Sequence, residues 1–410
     1  MPLTKAIVAR EPRFSALDWA LEPVHVADSP GADEVLVEMV AAGVCHTDIV
    51  LSAVPDGSFG ISYPKVLGHE GSGYVRKLGS NVTGLDIGDP VLLSFYSCGT
   101  CEQCEESHPA YCHEFARENY VGRKGAVTSA APQHPPPENT PSSQEGQQGH
   151  EHESQKQAQK KAGEEIYSRF FGQSSFARYS IVDKACVVNA KDLVRNEEEL
   201  RLFAPLGCGF QTGMGAIENI ARPTEKDVVV VLGLGSVGLA ALMTAKNNPH
   251  KAIIGIDRIP SRLALATSLG ATHVIDTAPD GVILHKAIAA LFPHGVSVVI
   301  DTTGSPPIIE DGLKALRQRG KLVLIGVPPM QYELGVSAIQ HMNAGRAIIG
   351  CIEGDCVPRE AIEKLVQWYR DGKFPIDKLV TYFEAHEFKD ALAGLDDGSV
   401  VKAVLKWKDV

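Results

Sequence analysis

The stretch VVVVLGLGSVGLAALMTA, residues 228–245, decides how the second half of this 410-residue chain folds. Four valines and a leucine form a buried strand, and Gly233, Gly235 and Gly238 follow it in the pattern G-x-G-x-x-G. The first glycine permits a tight turn, the second lets a pyrophosphate approach the backbone, and the third lets the next helix pack closely. Because the free N–H groups of that helix favour phosphate, the stretch predicts a dinucleotide-binding turn. Its cofactor-binding residues are Gly233, Leu234, Gly235, Ser236, Val237 and Gly238.

Strand and helix patterns alternate from Asp227 onward. The runs DVVVVLG, KAIIGID, THVID, VSVVIDT, KLVLIG and RAIIGCI are short, apolar and rich in β-branched residues. Between them, SVGLAALMTAKN, PSRLALATSLG and PIIEDGLKALRQR have helical spacing. Strands that alternate with helical crossovers predict an α/β fold with a doubly wound, six-stranded parallel sheet of the Rossmann type.

Asp257 ends the second of these strands. A carboxylate at that position accepts hydrogen bonds from the adenosine ribose and repels a 2′-phosphate, so the sequence favours NAD over NADP. Arg258 follows directly and weakens this preference. A fold of this type that has lost its ligand is the less favoured alternative.

The bulk composition excludes several classes of protein. With 44% hydrophobic and 22% charged residues, the chain is ordinary globular protein, long enough for two domains. Its formal charge of −11 argues against binding to nucleic acid. The first residues, MPLTKAIVAREPRF, resemble neither a signal peptide nor an anchor, and no apolar run reaches the ~20 residues of a membrane span. We therefore expect a soluble, cytoplasmic protein without membrane partners.

The first hundred residues are predicted to be β-rich, with short apolar runs such as DEVLVEMVAAGV and GDPVLLSF between Gly and Asp turns. Residues 122–165 then contain Pro, Gln, Glu, Ser and Lys and almost no large apolar side chain. This composition predicts a disordered surface insertion. Within it, His150, Glu151 and His152 are either a metal site or, more in keeping with their surroundings, a solvated polar tract.

Four cysteines lie close together in CGTCEQCEESHPAYC. In a reducing compartment, clustered cysteines indicate metal rather than disulfides, and four thiolates on one loop are typical of structural zinc. An iron–sulfur cluster is an alternative, although the spacing before the fourth cysteine and the missing Cys-Pro argue against it. Free thiols are the remaining alternative. The candidate structural-zinc ligands are Cys98, Cys101, Cys104 and Cys112.

A second candidate metal site is scattered along the chain. Cys45 occurs in GVCHTD, His69 in LGHEGSG and Cys208 in APLGCGFQTG. Two cysteines and one histidine are an established ligand set for catalytic zinc, which keeps one coordination position open. Asp48 is placed to hold the His69 ring from behind. Because such distant residues do not prove a site by spacing, small buried cysteines remain an alternative here.

These motifs together resemble the zinc-containing medium-chain alcohol dehydrogenases. GVCHTD, GHEGSGYVRKLGSNV, the four-cysteine loop, GCGFQTGMGA, GLGSVG and VLIGVPP all follow the order of that family. The resemblance implies two zinc ions, one catalytic and one structural, with NAD(H) as cofactor. It also implies a β-rich GroES-like catalytic domain, residues 1–209 and 351–410, around an NAD-binding Rossmann domain, residues 210–350. A homodimer or homotetramer is expected.

The resemblance also implies roles for individual side chains. Thr47 takes the substrate proton, and Glu70 lies close enough to the catalytic zinc to coordinate it transiently. His46 and Lys402 contact the cofactor pyrophosphate. Residues near the adenosine ribose and the nicotinamide are Arg262, Ile325 and Val327.

One position departs from many family members. Val50 stands where they have a histidine that ends a proton relay, so the proton must stop at the cofactor ribose or pass to water or to another base. The aryl- and benzyl-alcohol branch shares an apolar residue there, and the chain resembles that branch. Phe170 and Phe171 match pocket positions, which suits an aromatic or small cyclic alcohol, in aromatic catabolism or a secondary-metabolite pathway. Packing in the core is the alternative role for both.

Other functions remain open at this stage. A zinc-free reductase of the same superfamily is disfavoured, because Cys45, His69 and Cys208 are all present. A glutathione-dependent formaldehyde dehydrogenase is a second alternative. A non-catalytic binding protein on the same fold is a third.

Overall fold

The computed structural model describes residues 3–13, 16–130, 163–279 and 281–408. The strands are β1 Leu3–Arg13, β2 Ala16–Val26, β3 Glu34–Gly43, β4 Lys65–Val66, β5 Gly71–Leu78, β6 Pro90–Leu93, β7 Arg123–Ser129, β8 Glu165–Ser168, β9 Tyr179–Asp183, β10 Val187–Asn189, β11 Val228–Leu232, β12 Ala252–Asp257, β13 His273–Asp276, β14 Val296–Asp301, β15 Leu316–Leu324, β16 Ala347–Gly350, β17 Val380–Glu384 and β18 Lys402–Lys406. The α-helices are α1 His46–Leu51, α2 Glu102–Glu105, α3 Glu197–Leu202, α4 Gly209–Gly215, α5 Ser236–Asn247, α6 Pro260–Leu269, α7 Leu284–Leu291, α8 Pro306–Ala315, α9 Ala338–Ala344, α10 Pro358–Arg370 and α11 Phe388–Asp396.

The predicted parallel sheet is confirmed. Its six strands run in the order β13-β12-β11-β14-β15-β16, and every neighbouring pair is parallel. All five residues of β11 are buried, as expected for a strand with helices over both faces. The order of the strands reverses beside β11, where such sheets bind their ligands at the carboxyl ends of the strands.

One predicted helix is shorter than its sequence pattern. PIIEDGLKALRQR has helical spacing to Arg319, but α8 ends at Ala315 and β15 begins with the next residue. Leu316 is buried and pairs with Val296 of β14. Burial of Leu316 beside β14 therefore overrides the local helix propensity, which differs by only ~0.7 kcal/mol among ordinary residues.

The β-rich part contains a closed barrel and a second sheet. The barrel order is β1-β2-β7-β8-β4, and the second sheet runs β10-β6-β5-β3-β18-β17, with β9 also paired to β3. Strands β17 and β18 come from the end of the chain, so this end rejoins the β-rich part after the parallel sheet. The exact boundaries at residues 209 and 350 stay a prediction. None of the helices in the described segments combines the length and apolar character needed to cross a bilayer.

The prediction of a disordered insertion over residues 122–165 is wrong at its ends. Residues 123–129 form β7, which pairs with β2 on one side and with β8 on the other. Val127 is buried and pairs with Val26 and Ile166, so this short segment gains burial and two ladders of hydrogen bonds that its composition did not indicate. Residues 131–162, with His150, Glu151 and His152, lie outside the described residues.

Candidate active site

The three scattered metal-ligand candidates lie together in the fold. Cys45 directly precedes α1, His69 lies between β4 and β5, and Cys208 directly precedes α4. All three are buried, and their ligand atoms lie within 4.8 Å of one another. Residues that are far apart in sequence are thus brought to the spacing of one metal ion.

The His69 ring is fixed by Asp48, as the sequence suggested. Its Nδ1 lies 3.0 Å from Asp48 Oδ1, and the fully buried carboxylate also accepts hydrogen bonds from the backbone N–H groups of Cys45 and Gly68. The other ring nitrogen, Nε2, is buried and has no hydrogen-bond partner among the described residues. A metal-ligating histidine has this arrangement, with one nitrogen held by a carboxylate and the other left for the ion.

The charges of the group also fit a cation. Contact with Cys208, followed by the charges of His69 and Lys402, lowers the pKa of Cys45 well below its usual value. Burial works to lower the pKa of His69, but Asp48 and Cys45 outweigh it and raise the pKa well above the ordinary value. Contact with Cys45 and burial raise the pKa of Cys208. A divalent cation fits these ligands because it takes the place of protons on their sulfur and nitrogen atoms.

A buried ion pair lies beside the group. Lys402 Nζ is 2.9 Å from both carboxylate oxygens of Glu70, and it also donates to the carbonyl of Val44. Burial lowers the pKa of Lys402, but the Glu70 carboxylate outweighs it and raises that pKa. The backbone N–H of Gly209 donates to Glu70 Oε1 at 3.2 Å. Zinc coordination by Glu70 and a phosphate contact by Lys402 stay predictions.

The structure adds one residue that the sequence analysis missed. Glu353 follows β16 and is 7% exposed. Its Oε1 accepts a hydrogen bond from Cys208 Sγ at 3.5 Å, and its Oε2 accepts one from Gln211 Nε2 at 3.0 Å. Burial raises the pKa of Glu353 to about 7. Its only sequence signal was a carboxylate just past the carboxyl end of a predicted parallel strand, the edge where ligands bind.

The other predicted residues near the metal group are distributed around it. Thr47 is half-buried, with its hydroxyl 3.7 Å from Cys45 Sγ, and His46 is exposed. Phe170 and Phe171 are both buried. The Phe171 ring stacks on His69 with centroids 4.3 Å apart, and Phe170 meets the same ring edge-on at 5.6 Å. Both phenylalanines therefore pack against the candidate ligand His69.

The glycine-rich turn has the shape that a pyrophosphate needs. Gly233 has φ 84°, and a Cβ there would lie 2.7 Å from Thr302 Oγ1. A Cβ on Gly238 would lie 1.9 Å from the Gly233 carbonyl oxygen, so the helix and turn pack too closely for a side chain. A Cβ on Gly235 would meet nothing within 4 Å. The approach to the start of α5 is therefore open at the middle glycine, as a phosphate requires.

Asp257 lies at the edge of this turn. Its Oδ2 accepts a hydrogen bond from the backbone N–H of Leu234 at 2.7 Å, and its Oδ1 accepts one from Arg258 N at 2.7 Å. Arg262 donates to the carbonyl of Val400 at 3.3 Å. Ile325 is half-buried and Val327 is exposed. Their cofactor contacts stay predictions.

The four-cysteine loop forms a second metal-ligand group. The ligand atoms of its cysteines lie within 4.8 Å of one another, with sulfur–sulfur separations of 3.5 Å for Cys101–Cys104 and 3.9 Å for Cys98–Cys104 and Cys101–Cys112. Two thiolates on one tetrahedral zinc at ~2.3 Å lie ~3.8 Å apart, so the loop has the spacing for a single zinc ion. All nine cysteines of the chain are free of disulfides.

Comparisons with known proteins are consistent with zinc at both metal-ligand groups. Residues 31–134 match the alcohol dehydrogenase GroES-like domain, and residues 236–371 match the zinc-binding dehydrogenase family. The geraniol dehydrogenase of Castellaniella defragrans is 33% identical over 94% of both chains. The crystal structure of benzyl alcohol dehydrogenase from Acinetobacter calcoaceticus is 34% identical, covers 100% of both chains and has a TM-score of 0.82. The S-(hydroxymethyl)glutathione dehydrogenase of Komagataella pastoris is 28% identical over 98% of this chain and 97% of its own.

The two metal groups predict different responses to the loss of one ligand. Wild-type protein should contain one zinc per group, and both Cys45→Ser and Cys101→Ser should lose one zinc by elemental analysis. Only Cys101→Ser should lower the thermal midpoint, by roughly 4 °C or more, because structural zinc contributes to folding free energy. Cys45→Ser should stay folded and lose turnover. Iron in place of zinc, or no metal in either group, would contradict this assignment.

Proposed function

Because this chain belongs to the zinc-dependent medium-chain alcohol dehydrogenases, and is an oxidoreductase that uses zinc and NAD, we propose that it interconverts aromatic or allylic alcohols with their aldehydes or ketones. The substrate class follows from its relatives, whose names specify benzyl alcohol and geraniol. Phe170 and Phe171 beside His69 support an apolar, aromatic environment at the metal.

One observation carries the proposal of hydride transfer at this place. Gly209 directly follows the candidate ligand Cys208, and a Cβ added there would lie 3.6 Å from Ser236 Oγ in the dinucleotide turn. The metal group and the cofactor turn therefore face each other across the start of α4. A hydride transfer between an alcohol carbon and a nicotinamide requires this juxtaposition.

Part of the chemistry would come from bound zinc and nicotinamide, and the chain's own residues supply the rest. When bound, zinc supplies Lewis acidity toward the alcohol oxygen and the nicotinamide supplies the hydride acceptor. Asp48 holds the His69 ring, and the Glu70–Lys402 pair fixes the backbone beside Cys208. The Thr47 hydroxyl accepts the alcohol proton. Val50 offers no imidazole to take the proton onward, so a bound cofactor would supply a ribose hydroxyl as the next acceptor, with water as the alternative.

The direct test is turnover of an alcohol panel with NAD, followed by the absorbance of the reduced nicotinamide. Benzyl alcohol and geraniol should give kcat/KM at least about tenfold above ethanol, because each buried CH₂ contributes ~0.8 kcal/mol. Reduction of the matching aldehydes should show the same order. Turnover that requires glutathione and formaldehyde would favour the alternative supported by the Komagataella relative. No turnover with any substrate would favour a binding protein.

We further propose that Asp257 makes the chain prefer NAD over NADP. Asp257→Ala should raise the KM for NAD roughly tenfold or more and reduce discrimination against NADP, since a hydrogen bond to a charged group contributes ~1.5–3 kcal/mol. Asp257→Asn is the matched control, because its single side-chain oxygen still accepts either from Leu234 N–H or from the N–H groups of Arg258 and Ile259. It should relax the discrimination while changing the KM for NAD less. A wild-type preference for NADP would point to Arg258 and contradict this role.

We propose a homodimer or homotetramer that forms through the open edge of the parallel sheet. Strand β16 ends the sheet, and α9 before it has no buried residue. Val336, Ile339 and Met342 are exposed apolar side chains in the same segment. Light scattering should give a multiple of the chain mass, and Met342→Glu should shift it toward the monomer, whereas a wild-type monomer would contradict the proposal.

We also propose a cytoplasmic location. It is supported by the cysteines, none of which forms a disulfide, and recovery of the protein in a membrane fraction would contradict it.

A further inference from the structure

Three consecutive residues after β16 adopt left-handed backbone conformations. Glu353 has φ 49°, Gly354 φ 69° and Asp355 φ 49°. Glycine adopts this region freely, but each of the other two costs ~1–3 kcal/mol and persists only where the surroundings hold it. Such strain gathers at functional sites.

The turn presents Glu353 to a metal ligand and to the helix that carries it. The carboxylate accepts from Cys208 Sγ at 3.5 Å and from Gln211 Nε2 at 3.0 Å. Gln211 is fully buried in α4 and also donates to Ser94 Oγ and to the Gly207 carbonyl. Glu353 thus braces the first turn of α4 and, through Gln211, the backbone that leads into Cys208.

The turn is itself held from two sides. Asn219 Nδ2 donates to the carbonyls of Gly354 and Asp355 at 3.0 and 2.9 Å. His108 Nδ1 lies 2.8 Å from Asp355 Oδ2, and Tyr111 Oη donates to the carbonyl of Gly350 at 3.2 Å. His108 and Tyr111 belong to the four-cysteine loop, between its third and fourth cysteines. A continuous series of contacts therefore joins the two metal-ligand groups.

The carboxylate is not a member of the ligand group. Among the described residues, the ligand atoms of this group within 4.8 Å of one another come from Cys45, His69 and Cys208, and Glu353 is hydrogen-bonded to Cys208. With an ion bound, Cys208 would be a thiolate that no longer donates a hydrogen bond. The lasting contact of Glu353 is then with Gln211 Nε2, which also donates to the carbonyl of Gly207, next to Cys208.

We propose that Glu353 is a positioning residue of the catalytic metal centre, held in place by the four-cysteine loop through His108 and Asp355. The proposal rests on the proposed zinc site at Cys45, His69 and Cys208. Residues that orient a metal ligand from behind typically contribute 10–100-fold to metal affinity. Glu353 fixes the Gln211 amide, which in turn holds the Gly207 carbonyl and so the backbone that carries Cys208.

The first test measures metal release rather than turnover. Glu353→Ala should release the catalytic zinc to a chelator roughly 10–100-fold faster than wild type, with the zinc of the four-cysteine loop unchanged. In cobalt-substituted protein, the same variant should shift the thiolate-to-cobalt absorption band. Glu353→Gln keeps the size and polar contacts of the side chain and should stay within about threefold of wild type. Glu360→Ala, an exposed residue of α10, is the control and should change neither readout.

The outcomes separate a positioning role from a packing role. If Glu353→Ala lowers the thermal midpoint but leaves the release rate and the cobalt spectrum unchanged, the residue only packs and the proposal is wrong. If Glu353→Gln releases zinc as fast as Glu353→Ala, the hydrogen bond from Gln211 does not position the ligand and the proposal is wrong. If wild-type protein holds no metal at the three-ligand group, the proposed function fails instead.

The link to the four-cysteine loop has its own test. His108→Ala should speed release of the catalytic zinc in the same direction as Glu353→Ala but by less, roughly threefold to tenfold, because Asn219 still holds the turn. The double variant should release zinc no faster than Glu353→Ala alone, since both changes act through one contact series. Rates that multiply in the double variant would overturn the link.

Discussion

The candidate active-site group of Cys45, His69 and Cys208 depends on one buried carboxylate, that of Asp48. Its oxygens accept hydrogen bonds from the backbone N–H groups of Cys45 and Gly68 and meet His69 Nδ1, each at 3.0 Å. Because an unpaired charge at zero exposure is costly, Asp48 stays buried only while these partners stay in place. Two ligand-bearing segments are thereby fixed relative to each other by the protein, so a metal ion meets ligands that are already positioned.

A second buried group, the ion pair of Glu70 and Lys402, connects Cys208 and strand β18 to this arrangement. Lys402 begins β18, the strand between β3 and β17, and its ammonium group pairs with both oxygens of Glu70. Glu70 directly follows His69 in sequence and accepts from the N–H of Gly209, next to Cys208. The pair therefore couples formation of the β-rich sheet to assembly of the site, since removal of one partner of a buried pair costs ~3–5 kcal/mol.

The parts of the fold and site that the sequence predicts are those whose physics is local. The strand, turn and helix around Gly233–Gly238 are contiguous, so this stretch predicts its own open turn. The alternating strand and helix patterns from Asp227 onward predict the six-stranded sheet, and the structure confirms that sheet. The four-cysteine loop is local in the same sense. Cys45, His69 and Cys208 required the family resemblance, because spacing alone does not show that the fold brings them together.

Where the sequence-based prediction is wrong, a pairing between residues far apart in sequence determines the structure. Residues 123–129 have a composition that favours disorder, and they become a strand because β2 and β8 flank them. Leu316 has helical neighbours, and it leaves the helix because Val296 pairs with it.

The position of Glu353 also depends on residues far away in sequence. Gly354 marks a turn, but the left-handed backbone of Glu353 and Asp355 depends on Asn219 and His108. A strained turn of this kind is stable only when several contacts over-determine it, and here those contacts come from α4's neighbourhood and from the four-cysteine loop. The geometry at Cys208 is therefore set partly by a loop whose own ligands lie elsewhere, and the two metal groups form one connected structure rather than two independent sites.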